Sequence, residues 1–377
     1  MELEFTADQE ELRASIHAVL SKESPVSLAR AVTESDARPT ALWATMVELG
    51  WPALTVAEEH GGIGLGVLEA AILAEELGRV IAPGPLLPTV SQYVPAIREA
   101  GTPAQQSHLL GHVAAGELTG SLAIAEAAGS FDPADVATTI AFDRDQIELS
   151  GAKRFVMEGD AVDELVVVAR VGGKAGDDDG VRAVVVPVEG LATVPLEAFD
   201  GSRRLVHVEL DGVRVERDAV LGDPDVSAAP ALRRALEEAT VCLALEMVGT
   251  AQTIFDITLD YAKQREQFGV PIGSFQAIKH KFADMMIALE RARALGYFAA
   301  LTIAEDDARR TSATSVAKAA AGDCQRLLAK EGIQIHGGIG YTWEHDMHLY
   351  VRRIKSGEPL FGTAAWHRAR VADLLGV

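Results

Sequence analysis

Tyr261-Ala-Lys-Gln-Arg-Glu-Gln-Phe-Gly-Val-Pro-Ile-Gly-Ser-Phe-Gln276 is the stretch whose reading decides the fold. Its pattern predicts a helix that ends there, a turn through Gly269-Val-Pro-Ile-Gly273, and a second helix that starts at once. Arg265, Gln267, Phe268 and Gln276 gather around that turn. A guanidinium can bond phosphate oxygens bidentately. An arginine beside an aromatic ring and helix-terminal amides therefore suits a diphosphate-bearing cofactor. The same residues also fit a plain helical hairpin with a surface arginine.

A second segment, Gly332-Ile-Gln-Ile-His-Gly-Gly-Ile-Gly-Tyr341, is followed by Glu344 and Arg352-Arg353. Glycines at 337, 338 and 340 let a backbone approach a ligand closely. They are not spaced G-x-G-x-x-G, so this is no Rossmann fingerprint. Together the two segments resemble the acyl-CoA dehydrogenase family, in which Y-A-x-x-R-x-Q-F-G-x-P-I and Q-x-x-G-G-x-G-[FY] occur in this order and at a similar distance. Glu58-Glu-His-Gly-Gly-Ile-Gly-Leu-Gly66 and Glu75-Glu-Leu-Gly78 resemble that family's glycine-rich turn and helix-end motif. The resemblance covers nearly the whole chain, and the two C-terminal motifs are its specific part.

The chain has 377 residues, more than one usual core, so two or three domains are expected. Its net charge of −21 repels nucleic acid and anionic lipid and leaves no polybasic footprint. An anionic acyl-CoA would need local positive patches. Cys242 and Cys324 lack metal-ligand spacing, so no metal site is expected and a reduced, cytoplasmic protein is the simple reading. The acidic start lacks the apolar core of a signal peptide. No apolar run is expected to reach the length of about 18 residues that a membrane span needs.

Residues 1–118 read as an all-α domain, with helical spacing over Glu10–Leu20, Ala41–Leu49 and Leu68–Leu77. Pro83, Pro85 and Pro88 separate helices. Residues 119–226 read as a β-barrel or sandwich domain. Short β-branched runs at 121–125, 148–150, 164–169, 181–187 and 205–210 are parted by turn signals such as Gly172-Gly173 and Asp211-Gly212. Residues 227–377 read as a four-helix bundle, with helices over 230–263, 274–305, 309–334 and from about 363. The order α, β, α matches the resemblance independently.

As a family, acyl-CoA dehydrogenases remove two hydrogens across the α and β carbons of an acyl-CoA. The resemblance therefore implies FAD as hydride acceptor, a carboxylate base, hydrogen bonds to the thioester oxygen, and an electron-transfer protein as acceptor. The family base commonly sits in a Tyr-Glu-Gly-Thr segment. The matching stretch is Leu360-Phe361-Gly362-Thr363, where a phenyl ring cannot accept a proton. In other members the base lies on the first bundle helix, at the position matching Ala239. Glu238 and Glu246 are then the candidate displaced bases, and either could instead be a helix-packing residue. The flavin-contacting strand usually reads Thr-Glu-Pro-x-x-Gly-Ser-Asp. Here Ala125-Glu-Ala-Ala-Gly-Ser-Phe-Asp132 keeps Glu126, Gly129 and Ser130 but not the threonine. In Lys153-Arg-Phe-Val-Met157 the family's tryptophan is Phe155, which could stack on a flavin or sit in the core. Its N5 hydroxyl donor is Met157, which cannot donate.

The losses fall on one side. In this family each flavin lies at a dimer interface, where one subunit holds the ring and bears the base. The neighbour's bundle binds the diphosphate and adenosine. The segments that act on a neighbour's flavin are kept: Arg265, Phe268, Gln276, Gln334, Gly337 and Gly338. Those acting on the chain's own flavin are altered at Ala125, Met157, Phe361 and Ala365, with Phe155 and Thr363 left as cofactor contacts. The resemblance thus implies a flavoprotein subunit in lipid metabolism, as a homo-oligomer or as the non-catalytic partner in a heterotetramer with a base-bearing homologue. The alternative is a flavin-free interaction protein on the same fold.

Overall fold

The computed structural model describes residues 4–35 and 37–377. Helices come first: α1 (Ala7–Glu23), α2 (Val26–Ser35), α3 (Thr40–Glu48), α4 (Val67–Arg79), the short α5 (Leu86–Pro88), α6 (Val94–Ala100) and α7 (Pro103–Ala114). The strands β1 (Gly120–Ala123), β2 (Thr139–Asp143), β3 (Gln146–Ser150), β4 (Ala152–Met157) and β5 (Glu164–Arg170) follow. After them come β6 (Val181–Pro187), β7 (Ala192–Pro195), β8 (Leu205–Glu209) and β9 (Val213–Glu216). The chain then returns to helix with α8 (Ala229–Gln264). A hairpin of β10 (Glu266–Gln267) and β11 (Val270–Pro271) leads to α9 (Gln276–Ala304), α10 (Arg310–His336), α11 (Met347–Gly357) and α12 (Ala364–Leu375). The α, β, α order read from periodicity is the observed one.

Two sheets face each other in the middle. One runs β1-β5-β2-β3-β9 with β6 on the other side of β5, and the second runs β4-β8-β7. β5 and β6 pair antiparallel from Glu164↔Pro187 to Arg170↔Val181, and nearly every position is buried because both faces are covered. β4 carries a register shift between Lys153 and Val156, and Phe155 sits in that bulge at φ +57. The interior of the two sheets forms its own apolar cluster around Ile147, Leu165, Val167, Val184 and Val206.

The helices at the two ends of the chain share one core. α4 crosses α8 at two glycines. A Cβ on Gly78 would lie 2.0 Å from the Glu246 carbonyl oxygen, and one on Gly249 would lie 1.9 Å from that of Glu75. Only glycine permits this approach. It explains the helix-end Glu75-Glu-Leu-Gly78 segment as a packing device. Glu75 is bonded there by Arg13 at 2.9 Å, Arg293 at 2.9 Å and the Tyr297 hydroxyl at 2.6 Å.

α8 corrects one expectation. It is long and apolar enough by composition to cross a bilayer, yet 78% of the qualifying stretch is buried by the surrounding protein. It is the central helix of the bundle, in contact with α4, α6, α9, α10 and α11. α11 is a helix that the sequence reading does not include. Arg353 is in fact buried.

Candidate cofactor and active site

The two C-terminal motifs meet in space. α8 stops at Arg265, where the backbone turns extended, and the β10–β11 hairpin follows. Its two turn residues, Phe268 and Gly269, have φ of +57 and +81, the signature of a primed two-residue turn. A phenylalanine is strained in that conformation, and strain of this kind costs roughly 1–3 kcal/mol. Phe268 is nonetheless 92% exposed and touches the Phe275 ring edge-on at 6.2 Å. Tyr261 stacks on His336 at 4.4 Å, which joins the end of α8 to the glycine segment that closes α10. Gly337 holds φ +64, and no atom lies within 4 Å of a Cβ placed on Gly337 or Gly338.

Arg265, Gln276, Gln334, Gly337 and Gly338 are all exposed at this end of the bundle. Among the described residues the Arg265 guanidinium makes no hydrogen bond or ion pair. Ile339 and Tyr341 add exposed apolar surface nearby in the chain. The arrangement offers an unengaged guanidinium, carboxamides and an open glycine backbone, which together suit an anionic group of a diphosphate.

The segments that would face the chain's own flavin ring are built differently. Phe155 projects from its bulge at 37% exposure. Met157 is turned inward, and its Sδ accepts from Gln92 Nε2 at 3.0 Å. Gln92 comes from a π-helical turn, Thr89–Tyr93, between α5 and α6. Lys153 Nζ donates to Glu126 Oε1 at 2.6 Å, and Glu126 also accepts from Thr138 and Ala137, so that carboxylate is a structural knot. Burial pushes the Glu126 carboxyl up, but Lys153 and Thr138 outweigh it and hold it below the usual range.

Phe361 stands where the resemblance places the base. It is buried at φ +57, and its ring meets Phe131 edge-on at 5.1 Å. The cavity left beside this pair is about 40 Å³, with Leu236, Thr240 and Trp366 in its wall. Arg233 ties Asp132, also in that wall, to Asp178 through bonds of 2.9 and 2.6 Å. The loop beneath is pinned at its carbonyls. Lys318 Nζ donates to Glu358 at 2.8 Å and Gly362 at 2.9 Å, and His367 Nε2 bonds the Phe361 carbonyl at 3.0 Å. Burial drives His367 down to about 3, with the charge of Lys318 acting in the same direction. Neither Lys318 nor His367 was picked out from sequence. A lysine inside Ala317-Lys-Ala-Ala-Ala321 is the signal that could have found the first.

The displaced-base candidates are engaged elsewhere. Glu246 is fully buried. Its Oε1 accepts from Arg353 Nε at 2.6 Å, and its Oε2 lies 2.8 Å from Arg203 Nη2. Burial raises its pKa, but Arg203 and Arg353 outweigh burial and hold the carboxyl below the ordinary range. A base must be reachable and able to hold a proton, and Glu246 is neither. Glu238 is buried and takes Arg98 Nη2 at 2.5 Å. Thr363, expected at the cofactor, caps α12, with its Oγ1 accepting from Trp366 N at 3.1 Å.

Comparison with known proteins agrees with this architecture. Residues 6–117 match the acyl-CoA dehydrogenase N-terminal domain, and residues 230–376 match the acyl-CoA dehydrogenase C-terminal domain. Acyl-CoA dehydrogenase IpdE2 of Mycobacterium tuberculosis is 31% identical over 350 residues, 92% of this chain and 90% of that protein. The short-chain specific acyl-CoA dehydrogenase of Bos taurus mitochondria is 31% identical over 343 residues, 89% of this chain and 82% of that protein. Among solved structures, butyryl-CoA dehydrogenase from Megasphaera elsdenii superposes with a TM-score of 0.90 at 25% identity over the full length of both chains. The chain belongs to the acyl-CoA dehydrogenase family, whose members are FAD-dependent oxidoreductases acting on CH–CH bonds. Its residues fit FAD unevenly. The surface at Arg265 and Gly337 suits a diphosphate, whereas at the positions that the resemblance gives to the ring and the base, Ala125 and Met157 have no side-chain N–H or O–H donor and Phe361 packs on Phe131.

Proposed function

We propose that this chain is the non-catalytic subunit of a heteromeric, cytoplasmic acyl-CoA dehydrogenase. It completes the FAD site of a homologous partner that carries the base. The observation that carries the reading is the contrast between two surfaces of one molecule. The half that would serve a neighbour's FAD is exposed and unengaged, and the half that would serve its own ring is filled by Phe361 against Phe131. In a symmetric pair of identical chains, every FAD site would combine a sound diphosphate half with the same defective ring half. A complete site needs a partner of different sequence.

When bound, FAD supplies a hydride acceptor for the β hydrogen. This chain's part is to hold the diphosphate through Arg265, with Gln276, Gln334 and the Gly337-Gly338 backbone offering further contacts. Phe268, held in strain, projects toward the same partner. Proton abstraction belongs to the partner, because Phe361 and Ala239 occupy the two family base positions and Glu246 and Glu238 are held by arginines. The test is co-expression with a base-bearing homologue, followed by FAD content and acyl-CoA turnover with an artificial acceptor. Flavin and turnover in the pair, with neither in the isolated chain, support the reading. Robust turnover by the isolated chain overturns it.

A further inference from the structure

A second cavity, about 370 Å³, lies between α3 and the turn after β4, where Glu158 directly follows Met157. Trp43, Pro39 and Pro85 give it apolar walls, and Glu158, Asp160 and Asp163 give it acidic ones. Two of those carboxylates are committed. Asp160 takes Arg204 through both oxygens at 3.2 and 2.6 Å, and Asp163 Oδ2 takes the Thr119 N–H at 2.8 Å and its hydroxyl at 2.7 Å. Glu158 differs. It is only 5% exposed, yet it forms no ion pair among the described residues. Its Oε1 accepts one backbone N–H, from Arg204 at 3.1 Å, and among the described residues no bond reaches its other oxygen. That oxygen is not sealed off, so it opens to the cavity with an acceptor left for whatever occupies the space. The residue also sits at φ +52, a conformation that disfavours any side chain but glycine, so the backbone is held to present it.

We propose that this cavity binds a small organic ammonium ion, with the ammonium hydrogen-bonded to Glu158 and the alkyl body laid against Trp43. The lining excludes the other ligand classes. Among the described lining residues an anion would meet three carboxylates and one guanidinium, that of Arg38, which itself lies 3.7 Å from Asp160. A hard cation such as Ca²⁺ needs six to eight oxygen ligands, and no cluster of three metal-ligating side chains exists among the described residues. An ammonium needs only one or two acceptors, and Trp43 offers apolar surface to its alkyl body. The volume falls within the range of small-molecule sites.

Protonation adds a signature. Burial pushes Glu158 up to about 7. The Arg204 backbone bond and the charges of Arg353 and Arg204 pull against burial, while Asp160 adds to it. Among the described residues that line the cavity, Arg38 and Asp163 complete the charged groups. Only the carboxylate form can pair with an ammonium. The ionised fraction rises from about 0.1 at pH 6 to about 0.9 at pH 8, so affinity should rise about tenfold over that interval.

The test is calorimetric titration of the full chain with n-butylammonium at pH 6 and pH 8, with 1-butanol and butyrate as controls. One saturable site that tightens about tenfold at pH 8, with no binding of either control, is expected. Glu158→Gln, which keeps the volume, should abolish binding at both pH values. Trp43→Leu should weaken binding and leave its pH dependence intact. Circular dichroism establishes that the variants fold. Should Glu158→Gln not fold, the pH dependence of the wild type and a shift in Trp43 fluorescence on saturation decide the matter. The proposal is overturned by absence of binding at millimolar butylammonium, by many weak unsaturable sites, by equal affinity at the two pH values, or by unchanged binding in Glu158→Gln.

Discussion

Replacing Glu246 by glutamine separates a structural carboxylate from a catalytic one. Glu246, Arg203 and Arg353 have side chains only 0%, 2% and 4% exposed. Arg353 has further partners in the Ala82 carbonyl at 3.0 Å and the Ser202 carbonyl at 3.2 Å, and it lies 3.8 Å from Asp200. Among the described residues Arg203 forms no ion pair except that with Glu246. Glutamine keeps the volume but removes the charge that offsets two buried guanidiniums. Breaking a buried pair from one side costs about 3–5 kcal/mol. Glu246→Gln should therefore lower the free energy of unfolding by about that amount, measured by urea denaturation followed by circular dichroism. The loss should be present in the isolated chain, without flavin or substrate. A general base makes the opposite pattern: a stable, folded variant that retains FAD but has lost turnover. If Glu246→Gln unfolds at the same urea concentration as the wild type while a flavin-loaded complex containing it is inactive, the structural reading of Glu246 is wrong.

Further outcomes follow from the same geometry. Arg265→Ala should reduce FAD occupancy of the assembled complex by the equivalent of about 1.5–3 kcal/mol, read by flavin titration, and unchanged affinity would remove its diphosphate role. Phe361→Glu restores a carboxylate at the family position but should recover little turnover in the isolated chain, since Met157 and Ala125 leave the ring half unsupported; a missing base is worth about 10²–10⁴-fold, and recovery on that scale in a steady-state assay would show that the base alone was lacking. His367 is held neutral in the fold at about 3 against an ordinary 6.5, so the unfolded chain takes up the proton first as pH falls. Its stabilising contribution is complete above 6.5 and is lost below it, by about 2 kcal/mol at pH 5, and His367→Gln should flatten that part of the thermal stability profile between pH 7.5 and 5.

The fold was legible because its cues are local. Apolar spacing marked the long helices α8, α9 and α10, and β-branched runs marked β5, β6 and β8. The glycine motifs fixed where α8 and α10 end, and so the surface that Arg265 and Gly337 share. The ring side was legible only as losses, since Met157 and Phe361 announce what they cannot do. What replaced the lost chemistry was hidden, because it depends on contacts between distant segments. Phe131 meets Phe361 across the junction of sheet and bundle, and Gln92 reaches Met157 from a π-helical turn. Glu246 looked like a candidate base because apolar neighbours in sequence resemble a desolvated site. Arg203 and Arg353, which neutralise it, come from a loop before β8 and from α11. Lys318 and His367 were overlooked for the same reason, since their partners are backbone carbonyls that carry no mark in sequence.

The most direct measurement is the flavin content and subunit composition of the chain purified alone and after co-expression with a base-bearing homologue, by native mass spectrometry and visible absorbance. The account predicts a colourless, inactive chain alone. With the partner it predicts a yellow, active mixed assembly holding one FAD for each pair of unlike chains. An isolated chain that forms a homo-oligomer with one FAD per subunit and oxidises acyl-CoA unaided would contradict it.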